Sequence, residues 1–470
     1  MHNFQIKNLV LLCVVGLSGC SLAPDYQQPK MPVPSIYAEG GGVQAGPMPD
    51  WRNFISDNQL RELVGRALEH NRDLRIALLN IESARAQYGI SRADRLPAVN
   101  ATGAFSREDT PALQRPPGAP AGPQSMYRAE LGLSAFEIDL FSRTRNLSES
   151  ALQEYLATEE AARNVRITLI SRVSEAYLDY ASAGSRLALT QKVLTSRERA
   201  FSLAKLRFGA GTASELDVLE AQGLLEEART ESVRSARTLS QARNALRLLV
   251  GEDNLSTSLG SAPAGGQLFG DVRAGLPSDL LTQRPDIMAA EHGIRARNAD
   301  IGAARAAFFP RITLTGALGT AGPELSGLFS GDTRTWQFMP QITLPIFAGG
   351  RNRANLDLAN VRKDTAVAEY EKTIQTAFTE VSDALNARTS FDKELMARQK
   401  QVTSSDRTLA LAELRYRTGL DSHLRYLDAQ RQNFTGHLNM LDSWRNSQAS
   451  RIQLYKALGG SQSLEGMAAR

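Results

Sequence analysis

Two stretches of the chain alternate between apolar and polar residues, as strands of a half-buried sheet do. The alternation predicts strands at about 99–105 and 126–141, and again at about 311–319 and 336–347. The segment 126–141 would extend over about 50 Å at roughly 3.3 Å per residue, which is more than a tilted strand needs to cross a bilayer. A soluble hairpin packed on helices would show the same alternation, so the pattern alone leaves both interpretations open.

The second strand changes phase near its end. Up to Ala135 the apolar residues occupy odd positions, whereas Phe136, Ile138 and Leu140 occupy even positions. A β-bulge at Ala135/Phe136, or an exit from the membrane there, would produce this slip.

The number of strands predicts an oligomer if the strands cross a membrane. A sheet edge exposed to lipid leaves backbone groups unpaired, at a cost of several kcal/mol each, so only closed barrels span, and these begin at about eight strands. Four strands per chain would therefore close only with two, three or four copies.

Each pair of strands is followed by a run of apolar residues at three- and four-residue steps, which predicts a very long helix. The first helix is expected at 143–207 and the second at 353–415, each about 95 Å long at roughly 1.5 Å per residue. A returning helix continues the same frame in both halves. A lipid-anchored coiled-coil scaffold without a pore would have the same helices.

The chain contains an internal duplication. Residues 207–222 (RFGAGTASELDVLEAQ) match residues 415–430 (RYRTGLDSHLRYLDAQ) at a constant offset of 208, and a second series of matches follows an offset of 213. Two copies in register indicate a repeat. The predicted organisation is listed here in chain order: signal peptide 1–19, N-terminal tether 20–50, repeat one 51–255, linker 256–275, repeat two 276–460 and C-terminal tail 461–470.

Each copy of the matched segment predicts the bend of a helical hairpin: a helix ends, a glycine-containing turn follows, and a new helix begins. Thr212 and Glu215 have the spacing of a capping box. Asp421 or Ser422 is expected to cap the new helix of the second copy.

The N-terminus has the form of a bacterial lipoprotein signal. A short apolar run at 9–17 leads into Leu-Ser-Gly-Cys, which ends at Cys20, and such a run is too short to span a membrane. We expect cleavage before Cys20, covalent lipid on its thiol, and an extended Pro/Gly-rich tether behind it. Ser21 after the cysteine is compatible with sorting to the outer membrane.

Composition excludes several classes of function. The 54 basic and 50 acidic residues are spread without long runs, which gives no footprint for nucleic acid. Of the two cysteines, Cys13 leaves with the signal and Cys20 carries lipid, so thiol chemistry is not expected. The five histidines lack metal-ligand spacing and no catalytic motif is present, so we predict no enzyme, no metal and no cofactor beyond the lipid.

The chain resembles the outer-membrane factor family of tripartite efflux pumps of the resistance-nodulation-division (RND) class, in its OprM/OprJ-like lipoprotein branch. The matching motifs cover nearly the whole mature chain. They are ARAQY at 84–88, EIDLF at 137–141, LPSDLL at 276–281, RPDI at 284–287, IGAARAAFFP at 301–310, YEKTIQTAF at 370–378, LDAQR at 427–431 and LYKALGG at 454–460.

This resemblance implies a fold, a location and partners. The fold would be a trimeric twelve-stranded β-barrel in the outer membrane, continued by a twelve-helix α-barrel in the periplasm. The protein would be a passive duct for drugs and other small toxic compounds, opened by a periplasmic adaptor protein that is bound to an inner-membrane RND pump. A duct for type I protein secretion is the alternative within this class.

The resemblance also implies site residues at the bends. Leu424 and Asp428 align with residues that narrow the periplasmic aperture, and Arg431 and Tyr416 align with residues that hold the closed state. A threefold axis would turn Asp428 into a ring of carboxylates. Our hypothesis is that the adaptor contacts the tips of the hairpins. The tip residues assigned to this contact are Gly211, Thr212, Gly419 and Leu420.

Simpler interpretations of these residues remain open from the sequence. Asp428 can belong to a solvated helix face, and Leu424 and Tyr416 to an ordinary coiled-coil core. His423 beside the aperture is either a pH sensor or a solvated histidine at the tip. Glu220 occupies the place in repeat one that Asp428 has in repeat two, and its role is left open.

Overall fold

The computed structural model describes residues 21–37, 48–115, 117–118, 121–252 and 265–461. The predicted signal peptide and its Cys20 lie outside these residues, as do 38–47 of the tether, 253–264 around the linker and 462–470 of the tail. The described elements, in chain order, are α1 Trp51–Phe54, α2 Asn58–His70, α3 Arg72–Ala93, β1 Val99–Glu108, β2 Gln124–Ile138, α4 Arg143–Gly209, α5 Glu215–Val250, α6 Leu280–Gln283, α7 Pro285–Ala306, β3 Arg311–Gly322, β4 Arg334–Thr343, α8 Arg351–Arg417 and α9 His423–Ala457.

The chain divides into two compact units, and these are not the two sequence repeats. The strand unit consists of the described part of Met1–Lys30 together with Ile81–Thr158 and Ala289–Tyr370. The helical unit consists of Glu159–Met288, Glu371–Arg470 and the segment Met31–Asn80, as far as these are described. Each unit therefore draws on both repeats.

The strand unit contains one antiparallel sheet in the order β1-β2-β3-β4. Among the described residues, β1 and β4 each have a single neighbour, so both edges of the sheet are free within one chain. This is the open four-stranded arrangement that the sequence predicts.

Two of the predicted strands end earlier than the alternation suggests. β2 ends at Ile138 rather than at 141, and β4 ends at Thr343 rather than at 347. Both strands end where their common neighbour β3 begins, since Ile138 pairs with Ile312 and Thr343 pairs with Arg311, the first residue of β3. An apolar pattern can continue past the last residue that has a strand beside it.

One face of the sheet is apolar across all four strands. Residues that pair directly share a face, and the row Ala101, Leu131, Leu318 and Trp336 runs from edge to edge. Trp336 is 77% exposed, and Leu318 is 68% exposed. An outward apolar band of this kind is what a strand sheet presents to lipid.

The predicted phase slip in β2 is a β-bulge. The register with β3 shifts between Leu133 and Phe136, and Ala135 has a φ of 52°, with its N–H donating to Thr315 Oγ1 at 3.2 Å. The extra residue returns Phe136 and the residues after it to the apolar face. The bulge that the sequence predicts is therefore confirmed.

A network of charged groups fixes the passage from β2 into α4. Arg143 donates to both carboxylate oxygens of Glu137, at 2.8 and 2.7 Å, and Arg311 of β3 lies 2.6 Å from the same carboxylate. Asp139 accepts from the backbone N–H groups of Arg143 and Arg145, at 2.6 and 2.8 Å, and so caps the helix. The EIDLF motif therefore sets where the 67-residue helix begins.

Residues 22–26 of the tether are extended and pack along α7. Arg305 donates to the carbonyl of Leu22 at 3.0 Å, and Tyr26 donates to Glu291 at 3.1 Å, so the two segments run in opposite directions. Gly302 makes this approach feasible, because a Cβ there would lie 2.8 Å from the backbone nitrogen of Ala23. Residues 22–26 are thus held against α7 by hydrogen bonds.

In the helical unit, the two repeats end in the same way. α5 ends at Val250, directly before Gly251, and α9 ends at Ala457, two residues before Gly459. Both glycines have positive φ, 78° and 87°. Asn71 donates to the carbonyl of Leu249 and Arg284 donates to the carbonyl of Ala457, both at 2.8 Å. The two donors, Asn71 and Arg284, correspond at the sequence offset of 213, and the two acceptors, Leu249 and Ala457, correspond at the offset of 208.

No described helix is both long enough and apolar enough to cross a membrane.

Candidate functional site: the two hairpin tips

The two hairpin tips have the same backbone bend. In the first tip, Thr212 N–H donates to the carbonyl of Arg207 and Gly211 N–H to that of Phe208, both at 2.9 Å. This pair of bonds is the Schellman motif, which satisfies helix-end carbonyls and requires a left-handed residue at its turn. Gly211 supplies that residue, with a φ of 72°.

The second tip repeats these bonds at the offset of 208. Leu420 N–H donates to the carbonyl of Arg415 at 2.8 Å, and Gly419 N–H to that of Tyr416 at 3.2 Å. The φ of Gly419 is 73°. The duplicated sequence therefore encodes a duplicated bend, as predicted.

The helix that follows each bend begins differently. In the first tip, Ser214 caps α5 and forms a capping box with Asp217: the Asp217 N–H donates to Ser214 Oγ at 3.2 Å, and Ser214 N–H donates to the Asp217 carboxylate at 2.8 Å. The predicted box of Thr212 and Glu215 is therefore wrong. Thr212 belongs to the end of α4, where its hydroxyl donates to the carbonyl of Arg207 at 3.1 Å.

In the second tip, Ser422 occupies the cap position of α9 but makes no side-chain capping bond. Asp421, the other predicted cap, instead accepts from Arg415 at 2.7 Å and lies 3.8 Å from Arg425. The bond from Arg415 is the main cause that lowers the pKa of Asp421. Exposed ion pairs thus replace the capping box of the first tip.

A hydrogen bond between side chains joins the two hairpins at the tips. Arg207, in the last turn of α4, donates to Tyr416 Oη in α8 at 2.8 Å. The Tyr416 ring also stacks on Tyr426, with centroids 5.4 Å apart, and lies 5.1 Å from the His423 ring. Tyr416 therefore lies among residues of both hairpins.

The remaining predicted gate residues lie on the surface of α9. Leu424 is 69% exposed, so it is not part of a core within one chain. Asp428 accepts from Arg431 at 2.8 Å and from Gln432 at 2.7 Å, all on the same helix. The tip residues Gly211, Thr212, Gly419 and Leu420 are all exposed. The structure brings Tyr416 close to Arg207 and leaves Leu424 and Asp428 on an open face.

A group of three titratable side chains lies between the hairpins, and the sequence analysis missed it. Asp217 and Glu220 of α5 and His423 of α9 each place a ligand atom within 4.8 Å of the others. Asp217 and Glu220 are three residues apart and so share a helix face, which is the one signal present in the sequence. His423 is too distant in the chain for any spacing rule to find it.

The surroundings of this cluster set its electrostatics. Burial lowers the pKa of His423, and the carboxylates of Asp217 and Glu220 oppose that effect in part. The bonds from the Ser214 backbone and hydroxyl lower the pKa of Asp217. Asp217 and His423 line a cleft of about 500 Å³, together with Thr212, Tyr416 and Tyr426 among others.

Comparison with known proteins identifies the family. The family described as "Outer membrane efflux protein" matches residues 63–252 and 276–460. Outer membrane protein OprJ of Pseudomonas aeruginosa is 50% identical over 456 residues, which cover 96% of this chain and 95% of the relative. The antibiotic efflux pump outer membrane protein ArpC of Pseudomonas putida is 43% identical over 463 residues, covering 97% and 96% of the two chains.

The fold is shared with solved outer-membrane channels. The open-state structure of the MtrE outer membrane channel of Neisseria gonorrhoeae superposes with a TM-score of 0.85 at 37% identity, covering 94% of this chain and 98% of that one. This likeness confirms the predicted fold class, in which each chain supplies four strands and paired long helices to a trimeric β-barrel and α-barrel. The chain therefore belongs to the outer membrane efflux protein family and is an efflux channel protein of the bacterial outer membrane.

Proposed function

We propose that the protein is the exit duct of a tripartite efflux pump of the RND class, that it releases antibiotics and organic solvents, and that it opens at the hairpin tips. Relatives named as antibiotic, toluene and solvent efflux pump outer membrane proteins support the substrate class. The partners would be a periplasmic adaptor, which contacts Gly211, Thr212, Gly419 and Leu420, and an inner-membrane pump.

The observation that carries this proposal is the difference between the two tips. A duct without its own energy source must be closed at rest and opened by a partner, since a permanent pore would leak. The first tip is held by a capping box, whereas the second is held by exposed ion pairs and by the bond from Arg207 to Tyr416. Exposed ion pairs are worth little because water and salt compete for them. The second hairpin is accordingly the one that moves outward.

The gate consists of Leu424, Asp428, Arg431 and Tyr416. Leu424 and Asp428 are one helical turn apart on α9, and three copies around an axis would form an apolar ring next to a carboxylate ring. The partner of Asp428, Arg431, is itself exposed, so an approaching adaptor can displace their ion pair.

Single-channel recording in planar bilayers tests the gate. The variant with Asp428→Ala and Arg431→Ala is expected to show a larger resting conductance than the wild type. The matched control is Glu226→Ala with Arg229→Ala, which removes an exposed ion pair of 2.7 Å with the same spacing on α5. A gate variant as closed as the wild type, or a control that opens equally, would contradict the assignment.

We also propose that Cys20 carries the lipid anchor. Ser21, the residue after it, donates to Asn146 Oδ1 at 3.0 Å, which holds the start of the mature chain against the strand unit. Mass spectrometry of the mature N-terminus tests this proposal, and an unmodified Cys20 would refute it.

A further inference from the structure

We infer that Asp217, Glu220 and His423 form a binding site for a divalent transition-metal cation, with Zn²⁺ as its best-matched ion. Their ligand atoms all lie within 4.8 Å of one another, so small rotamer changes bring them around one ion. An imidazole with carboxylates is a donor set that suits Zn²⁺. Three protein ligands with water in the fourth position are a common zinc arrangement.

Local structure at the start of α5 holds the first of the three donors in place. Asp217 is fixed by the capping box, because Ser214 N–H and Ser214 Oγ both donate to its Oδ2 at 2.8 Å. That arrangement leaves Oδ1 of the same carboxylate for an ion. An outer partner that orients a ligand in this way is typical of metal sites in proteins.

The imidazole is also held in place. The His423 ring lies against Tyr416, with the two centroids 5.1 Å apart, and it is only partly exposed. Two cations, Arg207 and Arg197, act on His423 and would oppose a bound metal ion, and the guanidinium of Arg207 is engaged with Tyr416 Oη at 2.8 Å. The cluster therefore has two acidic groups and one imidazole in ligand positions.

The other sequence repeat does not reproduce this site. At the offset of 208, the residue that corresponds to Asp217 is Arg425, and the residue that corresponds to His423 is Glu215. The ligands come from α5 and from α9, so a bound ion would tie the first hairpin to the second. Zinc would then hold the tips together and oppose opening; this consequence rests on the proposed function, whereas the binding itself does not.

Calorimetric titration of Zn²⁺ into the purified full-length protein, stripped of metal beforehand, tests the site. The wild type is expected to bind one Zn²⁺ per chain, and His423→Ala and Glu220→Gln are each expected to weaken binding about tenfold or more. His437→Ala is the matched control, since His437 also faces a carboxylate, that of Asp406 at 2.8 Å. It should bind Zn²⁺ as the wild type does.

Two outcomes would overturn the site: no saturable binding by the wild type, or binding that neither ligand variant weakens. A measurement without mutation guards against variants that fail to fold. Zn²⁺ should slow hydrogen exchange in tip peptides of the wild type, and unchanged exchange at saturating Zn²⁺ would also count against the site. Micromolar Zn²⁺ should in addition lower the conductance of the channel. If Zn²⁺ binds at the cluster but the conductance is unchanged, the proposed location of the gate at the hairpin tips is wrong, whereas the metal site is still supported.

Discussion

The two hairpin tips share one bend but differ in what fastens the next helix. The same backbone hydrogen bonds occur in both bends, from Arg207 to Thr212 in the first and from Arg415 to Leu420 in the second. After the bend, a serine caps α5 with a full capping box, whereas the serine at the same place before α9 makes no side-chain bond. Duplication has therefore kept the backbone geometry and allowed the side chains to diverge. A fixed tip and a releasable tip are what a duct needs if one hairpin serves as the frame for the other.

The largest effect is expected where the tips are alike. Gly211→Ala and Gly419→Ala should each destabilise their tip by about 1–2 kcal/mol, because both glycines have left-handed φ values and an L-residue is strained there. Nothing lies within 4 Å of a Cβ built at either position, so the cost comes from the backbone alone. Hydrogen–deuterium exchange of the tip peptides should be roughly five- to thirtyfold faster in both variants.

Gly209→Ala is the control for that pair. Gly209 is the last residue of α4, it is not among the positive-φ glycines, and a Cβ there meets nothing within 4 Å. Alanine favours helix over glycine, so exchange should slow or stay the same. Faster exchange in this variant, or unequal effects of the other two, would break the equivalence of the bends.

A smaller effect should separate the tips. Ser214→Ala removes the cap of α5 and is expected to cost about 1 kcal/mol, whereas Ser422→Ala removes a hydroxyl without a capping bond and should cost close to nothing. Hydrogen exchange should be measured at both tips in each variant. Of these four exchange rates, only the rate at the first tip of Ser214→Ala should differ from the wild type. Equal effects at the two serines would show that the second tip is capped in solution as well.

The smallest effect concerns the contact between the hairpins. Tyr416→Phe makes the second tip like the first, where Phe208 occupies the corresponding position. The variant loses the bond from Arg207 but keeps the stacking on Tyr426, so we expect a loss of roughly 0.5 kcal/mol from the closed state. Opening events in planar bilayers should become about twice as frequent.

Tyr426→Phe serves for comparison, since it also removes one phenol hydroxyl beside the same cleft but leaves the Arg207–Tyr416 bond in place. Its opening frequency should match the wild type. If it opens as often as Tyr416→Phe does, the contact with Arg207 is not what holds the second hairpin.

Patterns that repeat at fixed intervals were readable from the sequence. The apolar alternation and its slip at Ala135 predicted the sheet and its bulge, because each side chain reports which face it occupies. The match of Gly211 with Gly419 predicted the doubled bend, because glycine adopts a positive φ without the steric strain that other residues have there.

Features that depend on side chains meeting across the fold were not readable. Thr212 and Ser214 both have an acidic residue three positions later, and only the bend itself decides that Thr212 completes one helix while Ser214 starts the next. His423 lies beside Asp217 because of the packing of the two hairpins, and residues 22–26 lie against α7 because of contacts with Glu291 and Arg305. No local pattern encodes such meetings.

The free edges of the four-stranded sheet also constrain how the protein inserts into the membrane and assembles. A lone copy that entered the hydrocarbon layer would expose the N–H and C=O groups of β1 and β4, at several kcal/mol for each unpaired group. Insertion and association of subunits must then occur as a single, concentration-dependent event. Until it meets other copies, a newly exported subunit carries two unpaired strand edges, and such edges are templates for pairing with other chains.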